Sequence, residues 1–402
     1  MTEVVDQEVT TFPVPRTCPF DPPPEYRELR EEAPISQVNL PNGGKAWVVV
    51  RHEDVRTMLT DPRFSSNRNH PGFPMLVKGK RLADDFGSSL IGMDAPEHGP
   101  ARRAVVGEFT VRRMEALRPR IQEIVDERID AMLAGPRPAD LVEMLSLPVP
   151  SLVICEQLGV PYEDHDFFQH CTSRMLSRTT GPEDRRAAFM SLREYLDTLV
   201  TRKQADPADD LLGRQVLKQR EDGTEDHRAL VSLAFLLLLA GHETTANMIS
   251  LSTVALLENS EQLEAIKTDP GKTLAAVEEL LRYFTIADTA TTRIAIEDVE
   301  IGGVTIRAGE GVLGLGYSAN RDPEAFDRPD EFDIERGARH HVAFGFGPHQ
   351  SLGQNLARME LQIVFDTLFR RIPTLKIAAP VDDLPFKNDA MIFGLHSLPV
   401  TW

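Results

Sequence analysis

The stretch HVAFGFGPHQSLGQNLAR, residues 341–358, carries the strongest signal for the fold. Its glycines at 345, 347 and 353 allow a tight loop, and close approach to a flat ligand, just before a helix begins. Two simpler interpretations exist. Ser351 and Gln354 match the S-x-x-Q capping box that opens a helix. A phosphate-binding loop is disfavoured because the GK[ST] ending and a clean preceding strand are missing.

A second constellation is EELLR at 278–282. Glu279 and Arg282 lie three residues apart, hence on one helix face, within reach of each other and of a third charge. Taken alone, this spacing is most often a solvated surface pair.

The third constellation is AGHETT at 240–245, directly after an apolar run. The pattern predicts a central helix over 227–258, with a functional kink at Gly241 because glycine weakens a helix. Burying the carboxylate of Glu243 without partners costs several kcal/mol, so it requires hydrogen bonds or a water channel. The alternative is a satisfied Glu–Thr pair in the core near a helix bend.

The remaining patterns predict a mainly α protein with a small β region, in a single domain over 1–402. Residues 1–25 are an extended, proline-rich lead-in. A hairpin strand is expected at 45–51, short helices at 54–60, 261–267 and 273–284, β segments at 293–296, 299–306 and 311–315, and a last helix at 352–371. Irregular or broken patterns at 64–92 and 165–190 indicate lids over a substrate entrance.

Composition excludes several functions. The chain has 402 residues, with 62 acidic and 44 basic side chains and a net charge of −18, which disfavours nucleic acid and anionic lipid as partners. Three cysteines without CxxC spacing argue against a disulfide scaffold or structural zinc and for a reducing compartment. No secretion signal is visible, so a cytoplasmic protein without a membrane span is expected.

Together, the three constellations make the chain resemble a soluble actinobacterial cytochrome P-450, a haem-thiolate monooxygenase, over nearly its full length. The resemblance also rests on DAPEHGPAR at 94–102, ANRDPEAF at 319–326 and FDIER at 332–336. It implies the triangular helical fold of that family around a long central helix, and haem b as cofactor. It also implies oxidation of a bulky apolar molecule such as a steroid, secosteroid, polyketide or xenobiotic with O2.

The resemblance assigns roles to individual residues. Glu243 and Thr244 would relay protons over the distal face of the haem. Glu279, Arg282 and Arg336 would form a structural ion-pair network. The residues expected to contact the haem are His98, Arg102, Ala240, Gly241, Arg293, Phe344, Gly345, His349 and Gly353. Among them His98, Arg102, Arg293 and His349 match positions that bind the two propionates, for which cations and hydrogen-bond donors are suited.

One position departs from the family pattern. Ser351 stands where the family has the axial cysteine, whose thiolate pushes electron density to the iron. Cys155 and Cys171 fall in helical patterns far from the loop and are expected to be packed residues. The sequence therefore predicts haem binding with strongly impaired oxygen activation, and favours an introduced Cys→Ser exchange. Alternatives are a serine-ligated carbene or nitrene transferase and a non-catalytic haem carrier or sensor.

Substrate contacts are expected from 64–92, 167–185, 237–240, 286–292 and 391–393. No flavin or nicotinamide fingerprint occurs, so the resemblance implies a ferredoxin and its reductase as electron donors. It also implies that the protein is a monomer. An acidic ferredoxin needs a local basic patch on this acidic chain. The candidates are Arg102, Arg103, Arg112, Arg113, Arg339 and Arg358.

Overall fold

A computed structural model describes residues 11–77 and 89–402. The larger helices are α1 (Pro24–Glu32), α2 (His52–Thr60), α3 (His98–Val106), α4 (Val111–Ala134), α5 (Pro148–Leu158), α6 (His165–Leu176), α7 (Pro182–Ala205), α8 (Leu211–Asp222), α9 (His227–Gly241), α10 (Glu243–Glu258), α11 (Ser260–Thr268), α12 (Thr273–Phe284), α13 (Gly316–Ala319) and α14 (Gln354–Arg371). Part of the predicted lid at 64–92 falls on 78–88, outside the described residues.

The strands are short. They are β1 (Ile35–Asn39), β2 (Lys45–Val49), β3 (Phe64–Ser65), β4 (Ala139–Asp140), β5 (Thr292–Ala295), β6 (Val299–Ile301), β7 (Val304–Ile306), β8 (Gly311–Gly314), β9 (Lys376–Ile377) and β10 (Pro399–Thr401). They form a five-stranded sheet in the order β1-β2-β8-β5-β3, a three-stranded sheet β4-β10-β9 and the pair β6-β7. The mainly α fold with a small β region is confirmed.

The core has a helical body and a separate β region. Helix α14 packs on α4, α10 and α12, and their apolar faces share the largest buried cluster. A second cluster joins α5 to α9. Helix α12 is amphipathic, and its residues from Ala276 to Phe284 are all buried. These helices surround the site described below.

The central helix is divided in two at the predicted kink. Within 227–258 the structure ends α9 at Gly241 and begins α10 at Glu243. A side chain at Gly241 would place its Cβ 2.9 Å from atoms of Ile154 on α5, so only glycine lets α9 and α5 approach this closely. The bend falls where Gly241 predicted it.

The two central segments together form the single membrane-span candidate in the described ranges. His227–Glu258 is long and apolar enough to cross a bilayer, but 56% of its most apolar window is buried inside the protein. A buried core helix passes the same test, so this segment alone does not identify a membrane protein.

Candidate functional site

A cavity of about 320 Å³ lies between the α9–α10 break, the turn after α12 and the loop before α14. This volume is within the range of small-molecule sites, roughly 300–1,000 Å³. The structure brings many of the predicted site residues to its wall. They are His98, Arg102, Ala240, Gly241, Thr244, Arg293, Phe344, Gly345, His349, Ser351 and Gly353. Glu243 is the one predicted distal residue that does not line it.

The loop before α14 is closed by local contacts. Gly345 and Gly347 both have φ of 71°, a left-handed conformation that favours glycine. A Cβ at Gly347 would also lie 3.0 Å from the carbonyl oxygen of Leu59. The amide of Ser351 donates a hydrogen bond to the carbonyl of Phe344 at 2.9 Å. These constraints place Ser351 on the cavity wall.

The capping-box interpretation of this loop is wrong. The N-cap of α14 is Gly353, and no side chain caps the helix. Ser351 lies two residues before that cap, on the cavity wall, and therefore does not serve the helix end.

Four cationic or histidine side chains gather at one end of the cavity. The rings of His98 and His349 stack with centroids 4.0 Å apart. Arg102 donates to the carbonyl of Gln350 at 2.5 Å, and Arg293 donates to the carbonyl of Thr292 at 2.8 Å. His98 Nε2 is buried without a hydrogen-bond partner.

These groups repel one another. Burial, followed by the charges of Arg293 and His98, lowers the pKa of His349 to about 3. Burial also lowers the pKa of Arg293 to about 10. Arg68, which the sequence did not single out, adds a further positive charge to both. An excess of buried donors and positive charge suits a ligand with carboxylate groups at this end.

The distal wall separates the two members of the acid–alcohol pair. Thr244 faces the cavity, and its hydroxyl donates to the carbonyl of Ala240 at 2.7 Å. Glu243 instead accepts a hydrogen bond from Lys387 Nζ at 2.5 Å, and Asn247 Nδ2 lies 3.4 Å from the same oxygen. Burial alone raises the pKa of Glu243, but the charges of Lys387 and His242, together with hydrogen bonds from Lys387 and Asn247, outweigh burial and lower the pKa. The buried carboxylate of Glu243 is therefore ionised and partnered.

The residues Glu279, Arg282 and Arg336 are in direct contact. Arg282 makes a bidentate pair with Glu279, with both nitrogen–oxygen distances 2.7 Å. Arg336 Nε reaches Glu279 Oε1 at 3.2 Å. The side chains of Glu279 and Arg282 are fully buried, so the solvated surface pair suggested by spacing alone is wrong.

Comparison with known proteins places this site in a family. The model of the cytochrome P-450 family matches residues 273–401. The chain is 51% identical to the pentalenic acid synthase of Streptomyces avermitilis over 97% of both chains. It is 46% identical to the vitamin D3 dihydroxylase of Streptomyces griseolus over the whole of both chains.

The chain belongs to the cytochrome P-450 family. Its structure is similar to the crystal structure of cytochrome P-450 MoxA (CYP105) from Nonomuraea recticatena, with a TM-score of 0.90, 62% identity and 98% of each chain covered. The expected cytochrome P-450 fold, the oxidoreductase scaffold and haem b as the family cofactor are confirmed.

The cavity of this P-450 fits haem on its own contacts. The loop glycines leave space beside a flat ligand, and the cationic end offers donors without carboxylate partners. His98 Nε2, buried and unpartnered, is the kind of atom that a bound propionate satisfies.

The three cysteines of this P-450, all of them in the described ranges, lie away from the cavity wall. Cys155 on α5 and Cys171 on α6 are buried in the second core cluster. Burial raises the pKa of Cys155 to about 12 and also raises the pKa of Cys171. Both thiols are therefore neutral packed residues.

The predicted substrate segments reach the P-450 cavity unequally. Leu90 and Ile91, Leu237, and the turn residues Ile286 and Ala287 line it. No residue of 167–185 lines it, because α6 and the start of α7 lie farther out. Residues 391 and 393 line a separate, smaller cavity.

Sequence reasoning missed a second buried network. Glu278 accepts from Arg358 Nε at 2.5 Å, and His341 Nε2 lies 3.2 Å from its other oxygen. Burial raises the pKa of Glu278, but contacts from His341 and Arg358 outweigh it and lower the pKa to about 2. The three residues stand 63 and 17 positions apart in the chain, and no local spacing signals their contact.

It also missed Glu360 on α14. This side chain is fully buried, and the hydroxyl of Thr245 is the polar group that acts on its carboxyl. Burial raises the pKa of Glu360 to about 8, so the side chain is neutral at pH 7. In the sequence it resembles any polar residue on the exposed face of an amphipathic helix.

Proposed function

We propose that this chain is a haem protein built for hydroxylation of bulky apolar small molecules, with Ser351 in the axial ligand position and oxygen activation impaired for that reason. The observation that carries the proposal is the wall of the 320 Å³ cavity. It combines Ser351 with a cationic end and an apolar distal side, and it contains no cysteine.

Haem, when bound, supplies the oxygen-activating and electron-accepting chemistry of this family. The chain's own residues have separate tasks. His98, Arg102, Arg293 and His349 hold the two propionates by charge-assisted hydrogen bonds. The apolar side chains on the distal wall exclude water and orient an apolar substrate.

The residues at the break between α9 and α10 handle protons. The hydroxyl of Thr244 donates to Ala240, which leaves its oxygen lone pairs toward the cavity to accept a hydrogen bond. Glu243 stays ionised behind it, held by Lys387. A serine hydroxyl at 351 has a far higher pKa than a thiol and donates electron density weakly. We therefore infer that haem binding persists and that Ser351 would support oxygen activation only weakly.

The axial proposal is tested by the reduced carbon monoxide spectrum of the purified protein and of Ser351→Cys. We expect the red-shifted band of thiolate ligation only in Ser351→Cys, together with recovered hydroxylation of an apolar substrate. Ser351→Ala is the matched control and should resemble the parent protein. A red-shifted band in the parent would overturn the proposal. A red-shifted but inactive Ser351→Cys would favour a carrier or sensor.

We further propose that a ferredoxin docks beside the α3–α4 junction of a cytoplasmic, monomeric protein. This junction packs against the first turn of α14, directly after the loop at 341–353 that carries Ser351 (the haem loop), since Asn355 donates to the carbonyl of Phe109 at 3.1 Å. Arg103, Arg112 and Arg339 are exposed there or in the loop leading to the haem site. Arg102 and Arg358 do not belong to this surface, because they contact Gln350 and Glu278 inside the protein.

The docking surface is tested by stopped-flow reduction with an acidic ferredoxin. Arg112→Glu should slow reduction about tenfold at low salt, with the difference shrinking as ionic strength rises. Arg27→Glu, an exposed change on α1, is the control. Equal rates for Arg112→Glu and the parent would exclude this surface.

A further inference from the structure

A second cavity, of about 30 Å³, lies between the N-terminal lead-in, α1, the turn after α12 and the turn at 387–393. Its polar wall consists of Arg16, Tyr26, Arg178, Asp288, Thr289, Lys387 and Asn388. The space suffices for one or two waters or a small polar group. It is too small for the body of a substrate.

Two arginine side chains point unpartnered N–H groups at this region. Arg16 is held between the rings of Tyr317 and Phe393, with its guanidinium carbon 4.2 Å and 4.0 Å from their centroids. Its Nη1 is buried and has no hydrogen-bond acceptor, and the same holds for Nε of Arg178. Buried guanidinium donors without acceptors are costly, so this arrangement is incomplete as it stands.

The charges around the cavity do not balance locally. Asp288 is the buried carboxylate facing both arginines, and its two oxygens already accept from Tyr26 Oη at 2.9 Å and the amide of Tyr317 at 2.8 Å. Asp288 acts on both arginines, and Arg178 also lies near the half-exposed carboxylate of Asp389. The two guanidinium groups therefore share one buried carboxylate.

The other charges nearby are already engaged. Lys387 lines the cavity with its stem, but its ammonium group is paired with Glu243. Asp389 accepts a hydrogen bond from the hydroxyl of Thr179 at 3.1 Å and is half exposed. Burial lowers the pKa of Arg178, which is the direction expected for a cation lacking a close anion. The unpartnered N–H groups of the two arginines therefore remain available to an anionic ligand.

The small cavity adjoins the haem cavity. Ile286 lines both, and along the same turn Ala287 and Ala290 face the large cavity while Asp288 and Thr289 face the small one. The turn is anchored to the opposite wall, because the amide of Phe393 donates to the carbonyl of Ile286 at 3.1 Å. A ligand gripped by the arginines would therefore lie beside the substrate space.

We propose that Arg16 and Arg178 form a binding site for the carboxylate of an elongated apolar acid, whose hydrocarbon body extends into the haem cavity. This deepens the proposed function and rests on it. The substrate class is then amphipathic carboxylic acids, and the arginines select them over neutral analogues of equal length. Guanidinium groups suit this task because they bind carboxylates through paired N–H donors.

The test is calorimetric titration of the haem-loaded protein with decanoate and with 1-decanol. The acid should bind at least about tenfold more tightly than the alcohol, the size expected for one charge-assisted hydrogen bond. Arg16→Gln and Arg178→Gln should each remove that preference, while Arg27→Gln, an exposed arginine on α1, should leave it unchanged. Arg16→Lys should retain part of it.

Several outcomes would overturn the site. One is equal binding of acid and alcohol, and another is an undiminished preference in both glutamine variants with normal haem content. Chloride that binds to the arginines without being displaced by decanoate would show a site for inorganic anions only. Hydroxylation is measured separately, with Ser351→Cys. If Ser351→Cys binds decanoate selectively but hydroxylates no substrate, the proposed function is wrong and the carboxylate site is still supported.

Discussion

Glu278 and Glu279 are neighbours on α12, yet they support different parts of the molecule. Glu279 pairs with Arg282 on its own helix and with Arg336 beyond it, and no member is appreciably exposed. Glu278 turns to the haem loop, where it contacts His341, and to α14, where it contacts Arg358, which keeps 21% of its side chain exposed. One acid thus fixes the helix to the preceding segment, while the other fixes the loop itself.

The difference shows how burial sets the importance of an ion pair. A carboxylate between two buried guanidinium groups cannot lose a partner without leaving an unpaired charge in the interior. Where the partner arginine reaches water, removal of the carboxylate costs less, because solvent can hydrate the arginine. Substitutions at the two positions should therefore differ in size although they are adjacent and chemically identical.

The largest effect is expected from Glu279→Gln. It leaves Arg282 buried with its charge uncompensated, so the free energy of unfolding should fall by about 3–5 kcal/mol. Urea denaturation of the haem-loaded protein followed by circular dichroism measures it. Glu264→Gln, an exposed acid on α11, serves as the control. A loss below about 1 kcal/mol would show that the network is replaceable.

A smaller effect is expected from Glu278→Gln, about 1–3 kcal/mol, because Arg358 can turn to solvent. The consequence should be local: the haem loop loosens, and haem dissociates faster from the variant than from the parent. Transfer of haem to an acceptor protein measures this rate. If Glu278→Gln costs as much as Glu279→Gln, the proposed contrast between the two networks is wrong.

The dependence of the free energy of unfolding on pH, below about pH 4.5, further distinguishes the two networks. The folded pKa of Glu278, about 2, lies below its ordinary value of 4.5. Its contribution is therefore fully present above about pH 4.5 and is lost as the pH falls toward 2. The stability difference between the parent and Glu278→Gln should shrink over this window. A difference that stays constant down to pH 2.5 would contradict the assignment.

An effect of opposite sign, confined to neutral and alkaline pH, is expected from Glu360→Gln. The folded pKa of this acid is raised to about 8, so between about pH 4.5 and 8 the unfolded chain releases a proton that the folded chain retains. The parent loses stability as pH rises through that range, and Glu360→Gln does not. The two proteins should be equally stable at pH 4, and the variant should become increasingly more stable than the parent as the pH rises to 7.5, by up to about 4 kcal/mol for this pKa. A pH-independent difference would show that Glu360 has an ordinary pKa.

The central helix, α9 and α10, shows how far the sequence could predict the structure. Gly241 marked the bend, because a glycine beside buried apolar residues weakens the helix wherever it stands. The full break at His242 was not predicted, since it depends on α5, where Ile154 closes on Gly241. Likewise, the direction of Glu243 depends on Lys387, which lies 144 residues later in the chain.

The sequence by itself determined the features that depend on neighbouring residues. These include helix α12 with the Glu279–Arg282 spacing, the glycine loop that presents Ser351, and the family to which these motifs belong. Only the tertiary structure decided the pairing of Glu278 with His341 and Arg358, the turning of Glu243 away from the cavity, and the two arginines left without an acceptor. The reason is physical: local spacing fixes which side chains share a helix face, whereas the partner of a buried charge comes from a distant segment that packing brings near.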